Sequence, residues 1–351
     1  MRIVAVRLDQ FGAGNYRITN PMLALEKLGH EVEIIQAGYG LRVSSRQLIG
    51  DALILQRQND LMYYDLVASL PPELRPRVVY EIDDLLWNFH GMNNPGAALE
   101  KDLQRTVPPM IRKADAVFCS TPELARKCQE FNQDTHVLLN AIDYQIRDWG
   151  SNHEGFPLIN NRKVIGWSGG GWHDGDWDVM GKSLRNALLS SPGWCFLAQG
   201  DPVAILGWVK KAKLPKGQVV IADWMEFGEH PSIYSLFDIG IAPLMSNAYN
   251  NCKSELKLIE LGARGIPYVA SDCSAYRRFY RNTGGFGGYL AKTEKEWDYL
   301  LRQAMSDIHH SKMLKSLTAE HYSLEARAKE YEKALYSVTR EERWSKTIAV
   351  R

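Results

Sequence analysis

Lys253, Lys257 and Glu260 stand four and then three residues apart. On a helix they would share one face, because side chains at i, i+3 and i+4 are neighbours. Leu256, Ile259 and Ala263 form a second stripe at the same period and suit burial. Gly265 is placed to end the helix, and Pro267 prevents its continuation. Two ammonium groups and a carboxylate would then project together near a helix start. Cations beside free backbone N–H groups can hold a diphosphate, and a carboxylate can accept hydrogen bonds from ribose hydroxyls. Together these suit a nucleotide-sugar. The alternative is a solvated helix face carrying an ordinary charge pair.

Other residue groups add chemistry. Gly169, Gly170 and Gly171, with His173 and Asp176 just beyond, follow an apolar strand. Three glycines let backbone N–H groups approach phosphate, and the run lacks the lysine of a P-loop. Asp83 and Asp84 end another strand, where they could hold Mg²⁺, act as acid and base, or cap a following helix. His90 lies beyond them as an acceptor contact or a polar loop residue. Asp223 and Trp224 end a further strand, so that Trp224 could receive a nucleotide base or simply fill the core. Gly12 and Gly14 follow the first strand, but Arg17 takes the third glycine position of a dinucleotide fingerprint and Gln36 the place of its acid. NAD is therefore disfavoured, leaving a turn that admits a ligand or one that is purely structural.

The elements that must position these groups alternate. Strand patterns at 2–7, 31–35, 52–56, 78–82, 116–120 and 136–139 are interleaved with helical segments at 20–28 and from Thr121. Such βα alternation implies a parallel, doubly wound sheet. A polar stretch at 146–162 reads as a linker, after which strands recur at 163–167, 194–198, 219–222, in the run 236–244 that ends in a proline loop, and at 268–270. The segment 317–338 is helical and charged, and could cross back onto the first half. The divisions expected are 1–155, 156–318 and 319–351.

A chain of 351 residues can bury two cores. Lys and Arg number 42 against 41 Asp and Glu, which argues against a dedicated polyanion binder. The run Lys210, Lys211, Lys213, Lys216 could touch a polyanion, but reads more simply as a solvated surface. Five scattered cysteines without a CxxC pair fit a reducing compartment and no structural zinc. The sequence opens on a strand, and no apolar run is long enough for a bilayer, so a cytoplasmic location is expected.

In this order along the chain, the motifs resemble the retaining GT-B glycosyltransferases of the family-four-like, group 1 type. The resemblance rests most on 238–244 through Lys257, Glu260, Gly265, Pro267 and Ser271. It also takes in Gly12 to Arg17, Tyr80 to Asp84, Ser120 to Pro122, Asn140 to Asp143, and Gly166 with His173 and Asp176. It implies an α/β protein of two Rossmann-like domains facing a cleft, with a C-terminal helix returning to the first. The second domain would hold the nucleoside-diphosphate sugar through Gly169, Gly170, Gly171, Trp224, Lys253, Lys257 and Glu260. The first would hold the acceptor through Gly12, Gly14, Arg17 and His90, with Asp83 and Asp84 at the reacting centre and no cofactor or metal required. Glu260 matches the second glutamate of the family's paired-glutamate motif, the ribose ligand. Cys252 stands where the first would be, which leaves Lys253 and Lys257 to hold the diphosphate. The family often has histidine where this chain has Asp83. Open acceptor classes are a saccharide, a small molecule and a hydroxymethylated viral DNA base. The alternatives in function are a GT-B sugar-nucleotide epimerase and a non-catalytic nucleotide-sugar binder.

Overall fold

The computed structural model describes residues 1–37, 43–89, 97–144, 149–157, 159, 161–170, 173 and 175–348, with side chains at 97, 98 and 340–348 left aside. His90 and Gly171 lie outside the described residues, as do 145–148, 158 and 160 of the expected linker.

Two six-stranded parallel sheets carry the architecture. The first contains β1 (Arg2–Arg7), β2 (Glu31–Gln36), β3 (Ala52–Gln56), β4 (Arg77–Ile82), β5 (Ala116–Cys119) and β6 (Thr135–Val137), in the order β2-β1-β3-β4-β5-β6. The second contains β7 (Lys163–Ser168), β8 (Trp194–Gln199), β9 (Val219–Ala222), β10 (Ile239–Ala242), β11 (Tyr268–Ser271) and β12 (Gly288–Ala291), in the order β12-β11-β10-β7-β8-β9. Parallel strands are covered on both faces, so they read as unbroken apolar runs. Ile3, Val4, Ala5 and Val6 of β1 are all fully buried.

Each sheet reverses its strand order once, between β1 and β3 in the first and between β7 and β10 in the second. Crevices for ligands open at the carboxyl ends of strands at such points. The first crevice is edged by the turn carrying Gly12 and Gly14 and by Arg57 after β3. The second is edged by Gly169 after β7 and by the loop after β10.

The helix Leu256–Arg264 lies against β10, where Gly240 leaves room: a Cβ there would fall 2.3 Å from Leu261. Gly265 ends the helix in the left-handed conformation at φ 71°, which glycine adopts without strain. The C-terminal region is two helices, Lys312–Tyr322 and Leu324–Ile348, separated at Ser323. Tyr331, Ala334, Leu335 and Val338 of the last helix pack with Ile3, Ala5, Ile18 and Met22 of the first half. The outgoing and returning strands of chain meet: Ile142 N–H donates to the Tyr322 carbonyl at 2.8 Å, and Leu324 N–H to the Ile142 carbonyl at 2.9 Å. Within the expected linker, Trp149 is buried and lies 6.0 Å from the Tyr234 ring, so that stretch is anchored to the second half.

Candidate functional site

Lys257 sits in the first turn of its helix and reaches the end of β7. Its ammonium donates to the Ser168 carbonyl at 2.6 Å and stands 4.5 Å from the centre of the Trp167 ring. Gly169 makes this approach possible, since a Cβ there would lie 2.1 Å from Lys257 Nζ. Burial pushes the Lys257 ammonium down to about 8, with Lys253 adding repulsion and Glu260 and Asp176 opposing it. Gly169 and Lys257, both expected at the donor from the sequence, are thus neighbours.

Glu260 follows one turn later, pointing the same way. One carboxylate oxygen accepts from the Tyr16 hydroxyl at 2.6 Å and the other from the Tyr234 hydroxyl at 2.7 Å. Burial and Glu260 itself push the Tyr234 phenol well up, so it remains a donor. Tyr16 comes from the first half, and its ring meets Phe227 of the second edge-on at 5.4 Å. A carboxylate has about four lone-pair sites, of which these two phenols use two.

Lys253 departs from the helical reading. The helix begins at Leu256, and Lys253 is extended at φ −65°, ψ 155° after the turn Asn250–Cys252. The reason is tertiary. Tyr249 and Cys252 are buried in the core of the first half, and the Cys252 carbonyl accepts from Thr121 Oγ1 at 2.8 Å. This loop from the second half is therefore pinned to the first. The buried Cys252 cannot serve as a polar ligand in place of the family's first glutamate. The Lys253 ammonium lies 5.0 Å from the centre of the Tyr249 ring, and its charge still acts on His173, Asp176 and Lys257.

His173 and Asp176 form a dyad on the turn after β7, Nδ1 to carboxylate at 2.7 Å. The other Asp176 oxygen accepts from Met245 N–H at 2.9 Å and Asn250 Nδ2 at 2.6 Å, tying this turn to the loop after β10. Although burial opposes it, the bonds from His173 and Met245 and the charge of Lys253 hold the Asp176 carboxyl below its usual range. His173 is held down to about 3 by burial and by the two lysines, so its imidazole is neutral. Trp224 is not core: it is 57% exposed on the loop after β9, and its ring edge is 4.0 Å from a Cβ placed on Gly170.

The first half contributes Asp83 and Asp84 at the end of β4. Arg57 bonds Asp83 through Nε and reaches Asp84 at 3.2 Å, while the Tyr249 hydroxyl donates to Asp84 at 3.3 Å. Although burial works against its charge, the two carboxylates hold Arg57 above its ordinary range. Burial and the neighbouring Asp83 raise the Asp84 carboxyl, against the pull of Lys253, Arg57 and Tyr249. The helix-cap reading of this pair is corrected, because a turn follows β4 there and Arg57 takes both acids.

Two acceptor-side expectations change. Arg17 is 1% exposed, with Nε on Glu81 at 2.6 Å and a terminal nitrogen on the Leu138 carbonyl and Asn140 at 2.6 and 2.9 Å. It braces the interior of the first half. Gly14 has no room for a side chain because a Cβ would lie 1.8 Å from the Asp9 carbonyl oxygen. Its need for glycine is internal packing, whereas Gly12 faces open space. Sequence reasoning missed Tyr16, Arg57, Tyr234 and Tyr249, whose partners lie 26 to 244 residues away.

Elsewhere, Lys211 pairs with Asp178 and its basic run is exposed. All five cysteines are buried and unpaired. Among the described residues, no cluster of metal-ligating side chains occurs, and no helix is long and apolar enough to cross a membrane.

No protein-family profile matches the chain. A stretch of 206 residues is 27% identical to TuaH of Bacillus subtilis (strain 168), which carries the provisional description of a teichuronic acid biosynthesis glycosyltransferase. The match covers 56% of this chain, which thereby spans half the length of that relative. Among solved structures, a sucrose-phosphate synthase from Thermosynechococcus elongatus superposes with a TM-score of 0.66 at 12% identity, covering 96% of this chain and 98% of that one. The catalytic domain of starch synthase IV from Arabidopsis thaliana, bound to ADP and acarbose, gives 0.64 at 13% identity over 96% and 99%. With its two six-stranded parallel sheets and these superpositions, the chain has the α/β architecture of the GT-B fold.

Proposed function

We propose that the chain is a glycosyltransferase that moves a sugar from a nucleoside-diphosphate sugar to an acceptor hydroxyl, with retention at the anomeric carbon. The observation that carries this reading is the seating of Lys257 against Gly169, one turn from Glu260, at the crevice between β7 and β10. The glycosyltransferase description of TuaH and the ADP in the starch synthase structure support it.

In this account, Lys253, Lys257 and the N–H groups of the turn at Gly169 and Gly170 take the diphosphate. They stabilise the charge that grows on it as the glycosidic bond breaks. Glu260 takes ribose hydroxyls on its remaining lone pairs, and Trp224 receives the base. The acceptor enters from the first half, past Gly12, with Asp83 and Asp84 at the reacting centre. Paired with Arg57, Asp83 is a hydrogen-bond acceptor that orients the incoming hydroxyl. The acceptor part is 1–155 and the donor part 156–318, with 319–351 returning to the first. Closure of the two would exclude water that hydrolyses the donor.

The reaction as read here needs no divalent metal, because lysines supply the positive charge. Incubation with a panel of UDP-, ADP-, GDP- and dTDP-sugars in EDTA, with saccharide, small-molecule and hydroxymethylated-DNA acceptors, tests both points. The expected result is free nucleotide and glycosylated product in EDTA. An isomerised donor would indicate an epimerase, binding without turnover a non-catalytic binder, and activity restored only by Mg²⁺ or Mn²⁺ a metal site at the paired acids.

A further inference from the structure

His173 has no role in the reading above, yet its surroundings are specific. Its ring stands edge-on to Trp167 at 5.7 Å, and the Lys257 ammonium lies over the same indole at 4.5 Å. It lines a recess with Gly170 and Asp201, at the turn where the diphosphate is placed. Nδ1 is bonded to Asp176, a carboxylate itself fixed by Met245 and Asn250. With Asp176 ionised, Nδ1 carries the proton, and among the described residues Nε2 has no hydrogen-bond partner.

We propose that His173 is a third contact of the donor diphosphate, one that becomes cationic only when the donor binds. This rests on the donor site proposed above. A neutral imidazole offers phosphate oxygen no donor at Nε2, whereas an imidazolium offers a charge-assisted hydrogen bond. The groups facing the ring set which form is present. Asp176 on its own turn favours the cation. Lys253 from the loop after β10, Lys257 from its helix, and burial oppose it, and together they prevail in the free protein. Asp201 at the rim of the recess is occupied in capping its own helix, where it accepts from Val203 N–H at 2.9 Å. A nucleotide-sugar brings two negative charges that pair with the lysines and remove their repulsion, while Asp176 stays in place. One proton then passes from solvent to Nε2. The arrangement gives a site that stays limited in positive charge when empty and gains a cation as the anion arrives.

A group whose affinity for protons rises on binding makes binding take up protons, so the donor binds more weakly as pH rises through the bound-state value. Lys257, held down to about 8 when free, would add uptake near that pH, so the measurement belongs at about pH 6, where Lys257 is already charged. The experiment is calorimetry of UDP-, ADP-, GDP- and dTDP-glucose binding in two buffers of different ionisation enthalpy. These diphosphate diesters do not titrate at that pH. The wild type should take up roughly half to one proton per donor bound, and His173→Gln, which keeps an N–H for Asp176, less than about a tenth. Donor binding by the wild type with no proton uptake overturns the proposal without any variant. Uptake unchanged in a folded His173→Gln overturns it too. If none of the four binds, the donor site itself is wrong and this inference fails with it.

Discussion

Replacing Lys257 by alanine should weaken donor binding by about 1.5–3 kcal/mol, as expected for loss of a charge-assisted contact. That corresponds to a fall in affinity of roughly ten- to 150-fold. The ammonium is placed for this by two local features: the absence of a side chain at Gly169 and the Ser168 carbonyl that it caps. Because Lys257 is held down to about 8, donor affinity should also decline as pH rises above that value and the charge is lost. Calorimetry on wild type and variant, with a urea melt to show that both are folded, checks the prediction. Unchanged affinity in a folded variant would remove Lys257 from the site.

The second large effect concerns stability. Arg17→Ala should destabilise the fold by about 3–5 kcal/mol, because removing one partner of a buried pair strands the other. Both side chains are out of contact with solvent, and Arg17 also braces the Leu138 carbonyl and Asn140 at the exit from β6. Urea denaturation at neutral pH reads the change directly. A loss below about 1 kcal/mol, the level of an exposed pair, would mean that Arg17 is accessible and would restore it as an acceptor contact.

Arg17 also shows where the sequence is legible and where it is not. Its position after a glycine turn marked it as a site residue, but its fate is set by Glu81, 64 positions away, and local pattern carries no trace of that pairing. The same holds for Tyr16 and Glu260, 244 positions apart. The strands were readable because parallel strands buried on both faces are continuous apolar runs. β1, β3 and β9 occupy the ranges expected from that pattern, whereas β12, only four residues long and opening on glycine, escaped it. The break at Ser323 carries no proline or glycine and was invisible, since it is imposed by hydrogen bonds to Ile142. Lys253 fell off the predicted helix because the first half's core captures Tyr249 and Cys252 just upstream. The crevice itself was foreseeable: βα alternation fixes a doubly wound sheet, and Lys257 and Gly169 follow strands that flank its reversal.

The most direct test of the account is a crystal structure with the nucleoside diphosphate released by the productive donor. Phosphate oxygens should lie at hydrogen-bond distance, about 2.7–3.2 Å, from Lys257 Nζ and the Gly170 N–H, with ribose hydroxyls on the Glu260 carboxylate. A nucleotide seated instead in the first-half crevice, between the turn at Gly12 and Arg57, with Lys257 and Glu260 untouched, would contradict it.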